Sequence, residues 1–283
     1  MNYPIVDSHI HFWDPSRLRY EWLTSVPVIH RPFLPADLSA AAAGYRLEKI
    51  VFVQAECVPA DGIREVEFVS ELAEAEPRIQ GIVAYAPLEQ GDAARSYLRE
   101  LARYSLVKGV RRLIQSEPLG FSRQPGYVAG VQLLPEFGLS CDLCIFHPQM
   151  GDILELVRLC PDVSFVLDHL GKPGIQDGIV EPWRTQIGQL AEFANVVCKL
   201  SGAATEADHR HWTRADLRPY IDRVVEVFGE DRILYGGDWP VSTQAATYRQ
   251  WIETLAWATA SLGEAGQRKL FYDNAARFYR LPR

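Results

Sequence analysis

The feature that most restricts what this chain can become is an alternation repeated eight times: a short apolar run, then an amphipathic stretch. The runs fall at residues 5–9, 50–55, 80–84, 107–114, 139–146, 163–168, 196–200 and 233–235. Helical spacing of apolar residues marks 36–45, 62–76, 93–104, 128–137, 153–160, 183–193 and 216–228, and 248–260 follows the eighth run. A helix after each strand returns the chain to the same end of a sheet, so the strands must run parallel. Eight repeats in 283 residues predict an α/β fold, a (β/α)8 TIM barrel, for which roughly 250 residues is usual. One or two extra C-terminal helices are expected over 264–279, with one domain spanning residues 1–283. A doubly wound open sheet is the competing architecture. It would place a glycine-rich turn after the first strand, and here that strand ends in His9 and His11.

With 48% hydrophobic residues the chain can build a large core, and its net charge of −7 comes without runs of like charge. The dispersed lysines and arginines argue against nucleic acid or an anionic membrane as partner. No apolar run approaches the roughly 18 residues of a membrane span, and no signal-peptide pattern opens the sequence. Five cysteines, several inside apolar runs, suit a reducing cytoplasm better than a disulfide framework. Cys141 and Cys144 form a C-x-x-C, but positions i and i+3 of a strand face opposite ways, which disfavours a zinc knuckle.

In such a barrel the chemistry sits at the carboxyl ends of the strands. Those ends carry His9 and His11, Gln54 and Glu56, Tyr85, Arg111 and Arg112, His147, Asp168 and His169, Lys199 and Ser201, and Asp238 with Trp239. Four of the seven histidines fall there, more than an unrelated scatter would place. On a period of two, Ile5, Asp7, His9 and His11 share one side, as do Phe165, Leu167 and His169, and Leu234, Gly236 and Asp238. This pattern is consistent with His169 and Asp238 pointing inward at the mouth, with the outer face as the alternative. A bare H-x-H is a weak signal, since a solvated strand end looks the same. Arg111 and Arg112 cannot both face inward, and Gly109 on the face of Arg111 favours Arg111 inside, free to grip a carboxylate or hydroxyl.

Several stretches together resemble the amidohydrolase superfamily: VDSHIHFWDP, VKGVRRLIQ, SFVLDHLGKP, NVVCKLSG with TEADHRHW, DRILYGGDWP and the closing NAARFYRL. Within it the chain is similar to the amidohydrolase-2 group of sugar lactonases, such as L-fuconolactonase and pyrone-dicarboxylate lactonase. The resemblance implies a barrel hydrolase that opens the ester of a sugar-acid lactone. It also implies one divalent ion, zinc by preference, on His9 and His11 and completed by His147 or Asp238. Binuclear members use a carboxylated lysine at the fourth strand end, where this chain has arginines, and Lys108 lies at the wrong end of that strand. One ion at most is therefore expected. Some lactonases of the group work without metal, so the pattern marks a place for an ion rather than a requirement.

Lactone opening needs an activated water, a polarised carbonyl and a proton for the leaving alkoxide. Asp238 is the expected proton acceptor. A zinc-type ion would polarise the water or carbonyl. His169 would orient the water or stabilise the oxyanion. Glu56 is a substrate contact or an alternative ligand, and Arg111 a substrate grip. Trp13, Trp22, Tyr85 and Trp239, with Phe12, would form an aromatic rim for a small sugar ring. Against these stand plainer readings: His147 as a strand cap, His169 as a satisfied core histidine, the aromatic group as an apolar rim. His30, His209 and His211 read as loop histidines. Trp251 and Trp257 read as packing or homo-oligomer contacts. A metal-dependent decarboxylase of an aromatic or muconic acid is the alternative activity, and a barrel that binds without chemistry is the third reading.

Overall fold

A computed structural model describes residues 3–282. Eight strands form one parallel sheet in sequential order: β1 (Ile5–Ile10), β2 (Leu47–Val53), β3 (Ile79–Ala84), β4 (Val107–Val110), β5 (Ser140–Leu143), β6 (Phe165–Leu167), β7 (Val196–Leu200) and β8 (Ile233–Tyr235). The sheet curls until the chain after β8 meets β1, where Asp238 N donates to the His9 carbonyl and His11 N to the Trp239 carbonyl, both at 2.8 Å. Helices α1 (Pro35–Ala41), α2 (Gly62–Ala75), α3 (Arg95–Leu101), α4 (Pro125–Gln132), α5 (Met150–Leu159), α6 (Trp183–Ala191), α7 (Arg214–Phe228) and α8 (Tyr248–Ala258) follow the strands in turn. Two short helices, α9 (Gly263–Arg268) and α10 (Asn274–Phe278), close the chain as expected. No helix among the described residues is long and apolar enough to cross a membrane.

Strands covered on both faces must be apolar on both, and the two faces separate into two clusters. The outer face packs with the helices: Ile5, Ile50, Phe165, Leu167, Ile233 and Tyr235 belong to the large cluster. The inner face, with Val6, Val51, Val53, Val83, Val166 and Leu234, meets Tyr279 and Leu281 from the C-terminal segment. All five cysteines are free and buried.

Two of the expected faces are corrected here. Ile5 and Asp7 point outward, Asp7 taking hydrogen bonds from Tyr248 of α8 and from Gly237 N at 2.8 Å. An irregularity between Asp7 and Ile10, three residues set against two of β2, switches the parity so that His9 and His11 turn toward the interior and its mouth. Phe165 and Leu167 likewise face outward, so Val166 of β6 and Asp168, one position past the strand, are the inward residues. His169 reaches the mouth only because its backbone is left-handed, with φ +54°.

Candidate active site

The barrel interior is ionic just below the mouth. Lys199 on β7, fully buried, places Nζ 2.6 Å from Asp142 Oδ2 and 2.9 Å from Asp168 Oδ1. Arg111, one position past β4, faces inward beside Gly109 as its spacing predicts. Its Nη1 donates to Asp168 Oδ2 at 3.1 Å and to His9 Nε2 at 3.2 Å, and Nη2 donates to the Gln54 carbonyl at 2.6 Å. Its buried Nε–H has no partner among the described residues. Burial would raise the Asp168 carboxyl, but Lys199, His9 and Arg111 outweigh it and hold it well below the carboxylate range.

Above this layer three imidazoles surround one carboxylate. Asp238 Oδ1 lies 3.5 Å from His11 Nε2, 3.7 Å from His9 Nε2 and 4.0 Å from His169 Nε2. The His11 Nδ1–H donates to the Val53 carbonyl at 2.7 Å, a partner that can only accept, so its Nε2 lone pair is bare. His9 Nε2 faces the Arg111 guanidinium, and its Nδ1 lies between Lys199 Nζ at 3.3 Å and Asp168 Oδ1 at 3.4 Å. His169 Nδ1 shares a 2.9 Å hydrogen bond with Ser201 Oγ, which serves either tautomer. Burial lowers all three imidazoles, His169 to about 4, and keeps them neutral. Burial would also raise Asp238, but His169, His11 and His9 hold it below its ordinary value, ionised.

Close approach of backbones makes this packing feasible. A Cβ on Gly202 would stand 2.6 Å from His169 Nδ1, and one on Gly236 would stand 2.8 Å from His9 Cβ. Glu56, His169, Leu170, Lys172 and Asp238 all have positive φ. Such left-handed non-glycine residues cost on the order of 1–3 kcal/mol each and cluster where function demands them.

The donors fit a divalent ion. Zinc with ligands at about 2.1 Å in a tetrahedron sets its ligand atoms roughly 3.4 Å apart, close to the Asp238 spacings. Two overlapping groups have ligand atoms within 4.8 Å of one another: His9, His11 and Asp238, and His9, Asp168 and His169. Neutral imidazoles and an ionised carboxylate are the required protonation states. An ion on His9 Nε2 would have to displace the Arg111 hydrogen bond.

His147 does not join this group. It sits in the turn after β5, near Gly174, and does not line the cavity. The cavity over the His–Asp group, about 250 Å3, is lined by His11, Trp22, Glu56, Arg111, His169 and Asp238 among others. Trp22 and Glu56 thus lie where expected. Trp13 and Trp239 do not: both are buried, Trp13 tied by Nε1 to the Arg31 carbonyl, and each packs on Phe33. Tyr85 lines a neighbouring cleft with Glu56, Glu89 and Arg112. Sequence reading gave no role to Asp142, Asp168, Lys199, Lys172 or Glu206, and took His209, which lines the cavity, for a plain loop residue. Trp251 is buried and bonded to the Gly236 carbonyl, whereas Trp257 is exposed.

Residues 6–281 match the family described as Amidohydrolase. The chain is 32% identical to an L-fucono-1,5-lactonase of Burkholderia multivorans, over 98% of this chain and 96% of that protein. It is 25% identical to an L-rhamnono-gamma-lactonase of Scheffersomyces stipitis, over 72% and 69%. Among solved structures it is similar to a zinc-bound amidohydrolase of Burkholderia multivorans, with TM-score 0.88, 32% identity, and coverage of 99% and 100%.

Proposed function

Because the chain belongs to the amidohydrolase family, we propose that it opens the ring ester of an aldonolactone, an L-fuconolactone-like sugar-acid lactone. The observation that carries this reading is the single ionised carboxylate, Asp238, set among three neutral imidazoles at the base of a cavity of small-molecule size. Relatives named for sugar-lactone hydrolysis support the substrate class.

Asp238, kept ionised, accepts the proton of an attacking water and later returns it to the ring oxygen that leaves as an alkoxide. His169, through the tautomer that accepts from Ser201, presents Nε2–H to orient that water. Arg111 lines the cavity and supplies a fixed positive charge beside an incoming carbonyl oxygen. Asp168 and Lys199 fix His9 and Arg111 from below and touch no substrate. His9, His11 and Asp238 would hold one zinc-type ion, which when bound supplies Lewis acidity toward water or carbonyl.

The test is acid release, followed by pH-stat, from a panel of five- and six-membered aldonolactones, before and after exhaustive chelation. Ring opening of at least one member above the buffer rate is expected. Carbon dioxide release from an aromatic acid with every lactone left intact would replace this reading with the decarboxylase one.

A further inference from the structure

The reaction as drawn leaves one polar array of the cavity unused: Gln115 after β4, Lys172 after β6 and Glu206 after β7. Lys172 is delivered there by an uncommon backbone. His169, Leu170, Gly171 and Lys172 have φ of +54°, +56°, +73° and +46°, four left-handed residues in succession. That turn brings His169 and Lys172 to the same cavity from adjacent stretches of one loop. Lys172 Nζ donates to Gln115 Oε1 at 2.6 Å, lies 5.0 Å from the centre of the Phe146 ring, and stands 3.7 Å from Glu206 Oε1. The last distance is too long for a hydrogen bond. Both side chains are about one-sixth exposed, at 16% and 17%, and both line the cavity. An ammonium has three N–H groups, and one is committed to Gln115.

We infer that the Lys172–Glu206 pair is the subsite for one ring hydroxyl of the substrate, an assignment that rests on the lactone reading above. A hydroxyl oxygen about 2.8 Å from each partner accepts from Lys172 and donates to Glu206, filling the gap that neither closes alone. A substrate carboxylate fits worse, because Glu206 repels what Lys172 attracts. Burial would lower the Lys172 ammonium, but Cys144, Glu206 and Asp238 outweigh it, so the donor stays charged. A buried donor–acceptor pair built for a hydroxyl rejects an analogue that lacks it, since both groups are then desolvated without a partner.

The experiment measures kcat/KM for the lactone that wild type opens fastest and for each of its monodeoxy analogues. Wild type, Glu206→Gln and Lys172→Met are compared, with folding checked by circular dichroism. One deoxy position should cost wild type about 10- to 100-fold, and that penalty should shrink to within about 3-fold in both variants while penalties at other positions persist. Unaltered penalties in the variants overturn the assignment, including the case where a variant loses activity equally on every lactone. Should Lys172→Met not fold, the near-isosteric Glu206→Gln decides alone. A wild type that opens no lactone defeats the parent reading, whereas an active wild type with unaltered penalties defeats only the subsite.

Discussion

At the scale of single residues, the site depends on imidazoles that stay neutral and a carboxylate that stays charged. An ordinary imidazole titrates near 6.5, whereas burial takes His169 to about 4 and lowers His9 and His11 as well. Protonation fills the His11 Nε2 lone pair and ends acceptance by His169 Nδ1 from Ser201, so kcat/KM should hold nearly flat from pH 7 to about 5 and fall below about 4. A pH–rate profile with its acid limb at 6.5, measured where the fold is intact, would contradict the buried assignment. Below the imidazoles, Lys199→Met would strand Asp142 and Asp168 without their shared cation. Breaking a buried pair on one side costs about 3–5 kcal/mol, and the loss should appear in denaturant unfolding. The sequence held a sign of this pair. Asp142 and Lys199 are opposite charges inside otherwise apolar barrel strands, a pattern with few stable solutions other than burial together. His9, His11, His169 and Asp238 were legible because strand ends in a barrel are where reactive groups collect. His147 was misjudged on the same rule, since the turn after β5 carries it aside to Gly174.

At the scale of elements, simple alternation fails at the positions that matter most. It predicted correctly that Leu234, Gly236 and Asp238 share a face, and that Arg111 and not Arg112 turns in. It misplaced Asp7 because of the irregularity in β1, and misread β6 because His169 leaves the strand through a left-handed turn. Neither a bulge nor a left-handed non-glycine residue changes the apolar pattern, so the sequence carries no period that reveals them. The aromatic rim was misread for a related reason. Trp13 and Trp239 follow strand ends, but the loop carrying Phe33 folds over both and makes them core. Packing at Gly202 gives a direct test. With φ +61° and His169 Nδ1 2.6 Å from a Cβ position, Gly202→Ala must shift the imidazole or the strand end. Displacement of about 1 Å can cost on the order of 100-fold in rate, so kcat should drop by roughly that factor. An alanine variant with wild-type kcat would show that the His169 position is not critical.

At the scale of the whole molecule, the C-terminal segment is part of the barrel and not an appendage. Tyr279 is fully buried, packs against the inner strand faces, and donates from its hydroxyl to Asp142 Oδ2 at 2.7 Å. Tyr279→Ala should therefore destabilise by about 3–5 kcal/mol, as loss of a large buried aromatic does, with a thermal melt as readout. A melt unchanged from wild type would detach the tail from the core. The eight-fold alternation made this architecture readable from sequence, whereas the plug of the interior by its own tail was not, because packing between residues 6 and 279 leaves no local pattern. The charged layer above that plug supports the mouth, and the mouth supports one claim: Asp238 moves the proton when a lactone ring opens. The measurement that tests it most directly is kcat/KM of Asp238→Asn on the lactone that wild type opens fastest. A loss of about 100- to 10,000-fold in a correctly folded variant is predicted, in line with removal of a general base. Activity within a few-fold of wild type would contradict it.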